Sequence, residues 1–197
     1  MKRILTSIIA LVAFASIASA QQKIYVCEGF RYHTHEITST DDIVFSTDGL
    51  EVTIAEDETY EIDEIDSITF AEPQYPRVDI VYNGASATVN VSPSVKGVTY
   101  SINGARVTLT STTTTEEYLY SVSGTSSNGS LVINGDYKLT VELAGLDLTN
   151  TSGPAIDIEC GKRIGVILKK GTVNNLADGK SGDHKGAFST EGHPEFE

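Results

Sequence analysis

Tryptophan is absent from this chain, methionine occurs once and cysteine twice. Any broad exposed ring must therefore come from nine tyrosines and six phenylalanines. Cys27 and Cys160 form no metal or redox motif. They fall in what read as different domains, so buried free thiols are expected rather than a disulfide. Positive charge is also scarce, with 14 Lys and Arg against 27 Asp and Glu and a net charge of −13. Such a surface repels phosphate backbones, which argues against a nucleic acid partner. It also disfavours polyanionic ligands, unless a divalent cation or a local basic patch intervenes. No window supports a helix of ordinary length. Beyond residue 20 no apolar run approaches the roughly 20 residues needed to cross a bilayer, so no direct membrane insertion is expected.

The start of the chain reads as a Sec-type signal peptide over residues 1–20. Lys2 and Arg3 precede an apolar run over residues 4–17, which ends in the small-x-small box Ala18-Ser19-Ala20. No cysteine follows at the lipid-attachment position. A secreted protein is expected, whether extracellular, at the cell surface or periplasmic, beginning near Gln21. Loss of Lys2 and Arg3 takes the net charge from −13 to about −15.

What is present is short-period alternation. Residues 21–72 read as a small N-terminal β-module with its own repeat, Asp42-Ile43-Val44-Phe45 and Asp66-Ser67-Ile68-Thr69-Phe70. Glu56, Asp57, Glu58, Glu61, Asp63, Glu64 and Asp66 lack the spacing of an EF-hand and read as a solvated acidic edge. His33 and His35 share one strand face but have no third ligand in register, so they read as a surface pair. Pro73 and Pro76 mark a linker over 73–76.

From Arg77 the pattern is almost pure alternation, punctuated by Asn83-Gly84, Asn103-Gly104, Asn128-Gly129 and Asn134-Gly135. One register stands out within it. Ile133/Ile158, Leu139/Ile164, Val141/Val166, Leu143/Leu168, Leu148/Val173 and Asn150/Asn175 all recur at an offset of 25. A sandwich has no reason to repeat at constant offset, whereas stacked rungs place like residues on like. The expected fold is therefore all-β, a right-handed parallel β-helix (a single-stranded solenoid) preceded by the small β-module. Residues 77–117 would cap the stack, and residues 118–197 would form the helix proper. A third copy at Gly186-Ala187-Phe188-Ser189 follows at an offset of 32, which places an inserted corner over residues 178–185. The chain stops within a rung, so further rungs are expected beyond Glu197. Asn150 and Asn175 would stack as a ladder satisfying corner backbone groups.

The segment Gly129-Ser130-Leu131-Val132-Ile133-Asn134-Gly135-Asp136-Tyr137-Lys138-Leu139-Thr140-Val141-Glu142-Leu143-Ala144-Gly145-Leu146-Asp147-Leu148-Thr149-Asn150, with Gly153-Pro154-Ala155-Ile156 and Gly171-Thr172-Val173-Asn174-Asn175-Leu176-Ala177-Asp178, resembles the opening rungs of a bacterial carbohydrate-binding β-helix family of cellulose- and polygalacturonate-binding type. The resemblance implies a pectate-lyase-like fold that binds glycans with calcium rather than cleaving them. The family's later Asp-rich rungs have no counterpart here. Residues 23–71 resemble a small β-module common at the start of exported proteins of gut-type bacteria.

Candidate site residues follow from sugar and calcium chemistry. Rings cover the apolar faces of pyranoses while neighbouring polar groups meet the hydroxyls. Tyr137, after Gly135-Asp136 at a corner, is the leading platform, with Tyr118 and Tyr120 as further candidates or as core. The lack of tryptophan tells against a stacking site of the usual cellulose-binding kind. Lys162 and Arg163, with Lys169 and Lys170, form the one basic patch and read either as solvated corners or as a glycan-facing strip. Calcium takes six to eight oxygen ligands. Asp147, Asp157, Asp178 and Asp183 are its candidate ligands, or outward and turn-forming residues. No catalytic residue is identifiable: His184 and His193 have no nucleophile motif nearby. The expected function is non-catalytic binding of polysaccharide, of plant type or acidic, assisted by calcium. The alternatives are a β-helix lyase or hydrolase, or a surface adhesin.

Overall fold

The computed structural model describes residues 22–38, 42–55, 58–179 and 186–196. No α-helix occurs among them. The chain divides into two compact units between Gln74 and Tyr75.

The first unit has six strands: β1 (Gln22–Glu28), β2 (Arg31–Ile37), β3 (Ile43–Phe45), β4 (Glu51–Ile54), β5 (Glu58–Glu61) and β6 (Ser67–Thr69). They make two antiparallel sheets, ordered β2-β1-β6 and β3-β4-β5. Alternate residues turn inward, so Ile24, Val26, Ile37, Val52, Ile54 and Tyr60 form one small core. The two histidines are accounted for here. His35 is buried with Nε2 2.6 Å from the Tyr60 hydroxyl, and that hydroxyl donates to Glu58 at 2.8 Å. His33 lies 3.7 Å from Glu28 and 3.6 Å from Glu58. Burial, followed by the Glu58 hydrogen bond and charge, raises the Tyr60 pKa and keeps the phenol protonated.

The second unit opens with two antiparallel hairpins. β7 (Arg77–Asn83) pairs with β8 (Ser86–Val91), and β9 (Val98–Asn103) pairs with β10 (Arg106–Ser111). Gly84 and Gly104, with φ of 64° and 62°, supply the positive dihedral that each two-residue turn needs. The other two Asn-Gly pairs behave differently: Asn134-Gly135 closes a parallel strand, and Asn128-Gly129 precedes it.

The strands that follow are β11 (Leu119–Ser126), β12 (Ser130–Gly135), β13 (Leu139–Asn150), β14 (Ile156–Glu159), β15 (Arg163–Leu168), β16 (Asn175–Asp178), β17 (Phe188–Thr190) and β18 (His193–Phe196). The even-numbered strands β10, β12 and β14 pair in parallel, and β14 pairs with β17. The chain meanwhile visits a second sheet, where β7, β11, β13, β15 and β18 also pair in parallel. Both sheets are mixed, because β9 and β8 add antiparallel strands at one edge of each. The inward rows Val107–Leu131–Ile156 and Val78–Tyr120–Val141–Val166 contribute to one buried core.

β11 and β13 are long because each bends in the middle. The bends fall at Gly124 (φ 87°) and Gly145 (φ 84°), conformations that a side chain resists. Beyond the bend β13 pairs with β16 rather than β15.

This second pairing corrects part of the repeat. Ile133/Ile158, Leu139/Ile164, Val141/Val166 and Leu143/Leu168 are true neighbours. Leu148, however, lies beside Leu176, and Asn150 beside Asp178. Val173 is 78% exposed. The turn after β15 is three residues longer than the offset of 25 allows, so no Asn150–Asn175 ladder forms. Asn150 instead serves its own corner, donating to the Pro154 carbonyl at 2.7 Å and accepting from the Ser152 N–H at 3.1 Å.

Candidate functional site

Because β12 and β14 lie in register, as do β13 and β15, the corners that join the two sheets stack on one another. The chain leaves β12 at Gly135 and reaches β13 through Asp136-Tyr137-Lys138. Further along, it leaves β14 at Glu159 and reaches β15 through Cys160-Gly161-Lys162. These corners, with Thr114 from the preceding one, line an open depression of about 480 Å³. Its walls are Thr114, Asp136, Tyr137, Lys138, Lys162 and Arg163. Tyr137 is half-buried, while Asp136 and Lys162 are exposed. Cys160, buried beneath, donates its thiol to the Tyr137 carbonyl at 3.2 Å and ties one corner to the next.

The floor is electrostatically organised around Glu117. Its side chain is 11% exposed and accepts from Lys138 Nζ at 2.9 Å, Arg163 Nη2 at 2.6 Å and Thr140 Oγ1 at 2.8 Å. Burial is the largest single influence on this carboxyl and would raise its pKa. The hydrogen bonds from Lys138 and Thr140 and the charges of Arg163 and Lys138 together outweigh it, so the pKa falls below the usual 4.5. Arg163 Nη1 also lies 3.6 Å from Glu195. Lys138 and Arg163 are thus partly neutralised, and Lys162 makes no ion pair among the described residues. The site offers one half-buried aromatic ring, one ammonium without an ion pair among the described residues, and one ammonium and one guanidinium paired with Glu117.

Three candidates from the sequence, Tyr137, Lys162 and Arg163, therefore meet in one place. Tyr118 and Tyr120 do not join them. They are 2% and 1% exposed, and the intervening Leu119 is 3% exposed, so this stretch is covered on both faces. The Tyr118 hydroxyl is consumed by the Glu116 carboxylate (2.7 Å) and the Lys96 N–H (3.2 Å). Burial pushes the Tyr120 phenol up to about 12. Both are core residues, and neither presents a ring face to a ligand.

The acidic candidates also separate. Asp157 stands beside Val132 and Ser189 in one sheet, whereas Asp147 and Asp178 belong to the other. Asp147 pairs with Asn175, three residues before Asp178, which puts the two about 10 Å apart along the strand direction. Asp183 lies outside the described residues. Among the described residues no group of three or more His, Cys, Asp or Glu side chains is placed to hold a metal ion.

Asp136 and Thr114 went unnoticed as site residues in the sequence, as did the Glu117 floor. The signal was available for Asp136, which precedes Tyr137 at the same corner. Glu117 could not be found that way, because its partners Lys138 and Arg163 lie far along the chain, before β13 and at the start of β15.

A second depression of about 450 Å³ adjoins the first and shares Asp136 with it. Its wall is formed by Asn134, Glu159 and Glu191 with Thr110, Ser111 and Thr112.

An all-β unit with a polar groove along one stacked corner is the class of protein that fold and site define. A protein-family model described as carbohydrate-binding domain-containing protein matches residues 103–192, a stretch that includes the whole Tyr137 corner and its neighbours. Curated proteins give no match. A solved structure described as the polysaccharide lyase-like protein from C. thermocellum, a gadolinium derivative, is similar at 20% identity and a TM-score of 0.47. The similarity covers 61% of this chain and 48% of that one, so the chain matches about half of its length. The stretch that matches the family model is a little under half of the chain.

Proposed function

We propose that this chain is an exported, non-catalytic polysaccharide-binding protein whose glycan site is the depression around Tyr137. The observation that carries the reading is the convergence of Tyr137, Lys162 and Arg163 from successive corners, within the stretch that matches a carbohydrate-binding family. A pyranose laid against the Tyr137 ring would meet Asp136 and Thr114 with its hydroxyls. A uronate carboxylate would meet Lys162, with the Arg163 guanidinium behind it. Acidic glycans are therefore the preferred class, because a local positive site acts over a few ångströms while the distant net charge is screened at physiological salt.

In this reading the alternation between two parallel-paired sheets is the winding of a β-helix, with the antiparallel strands β8 and β9 closing its first rungs. The signal-like segment of residues 1–20 would direct export. Calcium assistance is a further part of the proposal, and the chelator arm of the binding experiment tests it.

Glycan-array binding of the full chain, with and without chelator, tests the proposal. Retention of uronate-containing polysaccharides supports it, and sensitivity to chelator would add the calcium component. Release of unsaturated or reducing ends from the same polymers would replace it with a lyase or hydrolase. A protein that retains no glycan would be better read as an adhesin or spacer.

A further inference from the structure

An exposed sheet edge offers unpaired backbone groups to other chains, and most edges of this protein are blunted against that. Among the described residues, β3, β6 and β17 are three residues long, and β2, β5, β16 and β18 each carry a charged side chain. The edge strands β8 and β9 are different. Each is six residues long, and neither holds a charged residue or a proline, in a chain whose net charge is −13. They lie together, since the Ala87 N–H of β8 donates to the Gly104 carbonyl in the turn after β9 at 3.1 Å. β9 pairs with β10 in unbroken register, so no bulge turns it away from a neighbour.

The free backbone groups of β9 belong to its apolar residues. The two-residue turn at Gly104-Ala105 makes Asn103 and Arg106 a hydrogen-bonded pair, and bonded pairs alternate from there along the hairpin. The Thr112 N–H keeps this alternation at the far end, donating to the Gly97 carbonyl at 2.9 Å. Val98, Tyr100 and Ile102 therefore turn their N–H and C=O groups away from β10, toward the open edge. Their side chains share the face of Leu109 and Val107, because directly opposite residues point the same way. Leu109 and Val107 are fully covered, whereas Tyr100 is 50% and Ile102 39% exposed. One row of residues thus presents free backbone groups and uncovered apolar surface together.

We infer that β9 is a self-association edge, at which a second copy of this chain adds its own β9 antiparallel, about a two-fold axis at Tyr100. A two-fold axis perpendicular to the sheet keeps the faces matched, so inward residues must meet inward residues. Centring it on Tyr100 does this. Tyr100 then opposes the second copy's Tyr100, and Val98 opposes Ile102 on either side. Each opposed pair exchanges both of its N–H···O bonds, because these are the residues whose groups face the edge. The row therefore complements itself, as a two-fold contact requires. Charge favours the same partner. Two chains this acidic repel wherever their carboxylates meet, and β8 and β9 bring none together. The residues between the paired ones, Thr99 and Ser101, are neutral as well.

Analytical ultracentrifugation of the full chain across a wide concentration range should show a monomer–dimer equilibrium and no larger species. Tyr100→Lys sets like charges opposite each other across the axis, at a position already exposed, and should weaken dimerisation at least about tenfold. Tyr100→Pro should do the same, because it removes the N–H aimed at the open edge and leaves the bonds to β10 in place, a change that edge strands tolerate. Circular dichroism checks that each variant is folded, and Tyr100→Lys decides alone if the proline variant is not. Tyr100→Cys should give a disulfide-linked dimer on mild oxidation, since opposed Cα atoms of a bonded pair stand about 5.5 Å apart. Val98→Cys, which faces Ile102 instead of itself, should not. A monomer at every concentration overturns the inference, as does a dimer that persists unchanged in Tyr100→Lys. Cross-linking at residue 98 rather than 100 overturns the register. Open-ended oligomers overturn the two-fold pairing, because an isologous contact closes on itself.

Discussion

Glu117, just before β11, and Arg163, at the start of β15, meet at 2.6 Å beneath the depression that Tyr137 lines. The carboxylate also accepts from Lys138 and Thr140, so four side chains from three corners share one site. This network fixes the direction of the basic groups and holds successive corners in register. Its loss would be felt in stability and in ligand binding together.

Replacing Glu117 with glutamine should lower stability by about 1–3 kcal/mol at neutral pH, since Lys138 and Arg163 lose a partly buried partner. The pKa of Glu117 is lowered in the folded protein, so its contribution is present above the ordinary value of 4.5 and fades as pH falls through the lower folded value. Wild type should therefore lose stability on acidification below about pH 4.5, and E117Q should lose less. Thermal unfolding across pH 7 to pH 3 measures both; parallel curves for the two proteins would contradict the assignment.

Gly124 and Gly84 both have positive φ, yet their surroundings differ. A Cβ at Gly124 would stand 2.1 Å from the Tyr82 carbonyl oxygen, whereas one at Gly84 meets nothing within 4 Å. Gly84→Ala should cost about 1–2 kcal/mol, the left-handed conformation alone. Gly124→Ala should cost clearly more, because the β11 bend must open away from β7. Denaturant midpoints rank the two.

Cys27 and Cys160 are buried and unpaired. Neither thiol should react with an aromatic disulfide reagent in the native protein, and both should react after denaturation without reductant. A denatured, unreduced chain with no reactive thiol would mean that the two are bridged.

The core of the second unit was legible in the sequence because inward positions recur at every second residue and, between paired strands, at an offset of 25. Ile133, Ile158, Val141 and Val166 announce their own neighbours in this way. Legibility ended where a turn changed length. The loop after Leu168 carries Asn174, whose Oδ1 accepts from the N–H groups of Gly145 and Leu146 at 3.0 and 2.8 Å. That staple displaces the next strand, so Leu176 rather than Val173 meets Leu148. No local pattern encodes a hydrogen bond to a bend 29 residues earlier in the chain. The same limit hid the Glu117 floor, while the corner residues Tyr137, Lys162 and Arg163 were visible through their types and positions.

The displaced register is itself testable. Val173→Asp places a charge on a side chain already 78% exposed and should change stability by less than about 0.5 kcal/mol. Leu176→Asp puts the charge against the core beside Leu148 and should destabilise by more than about 2 kcal/mol. Equal effects at the two positions would restore the offset of 25 and refute the pairing described above.

Tyr137 provides the most direct test of the binding site, because its ring and its backbone do different work. The Tyr137 carbonyl accepts from Cys160, a contact that survives loss of the ring. Tyr137→Ala should therefore leave the unfolding midpoint nearly unchanged while weakening glycan binding by roughly tenfold or more, the scale of one lost aromatic contact. Tyr137→Phe keeps the platform and should bind within a few-fold of wild type. Lys162→Ala removes a cation that has no ion-pair partner among the described residues, so it too should spare stability. Its effect should be larger on acidic than on neutral glycans and should shrink as salt is added. If Tyr137→Ala and Lys162→Ala both bind polysaccharide like wild type, the glycan site lies elsewhere on the chain.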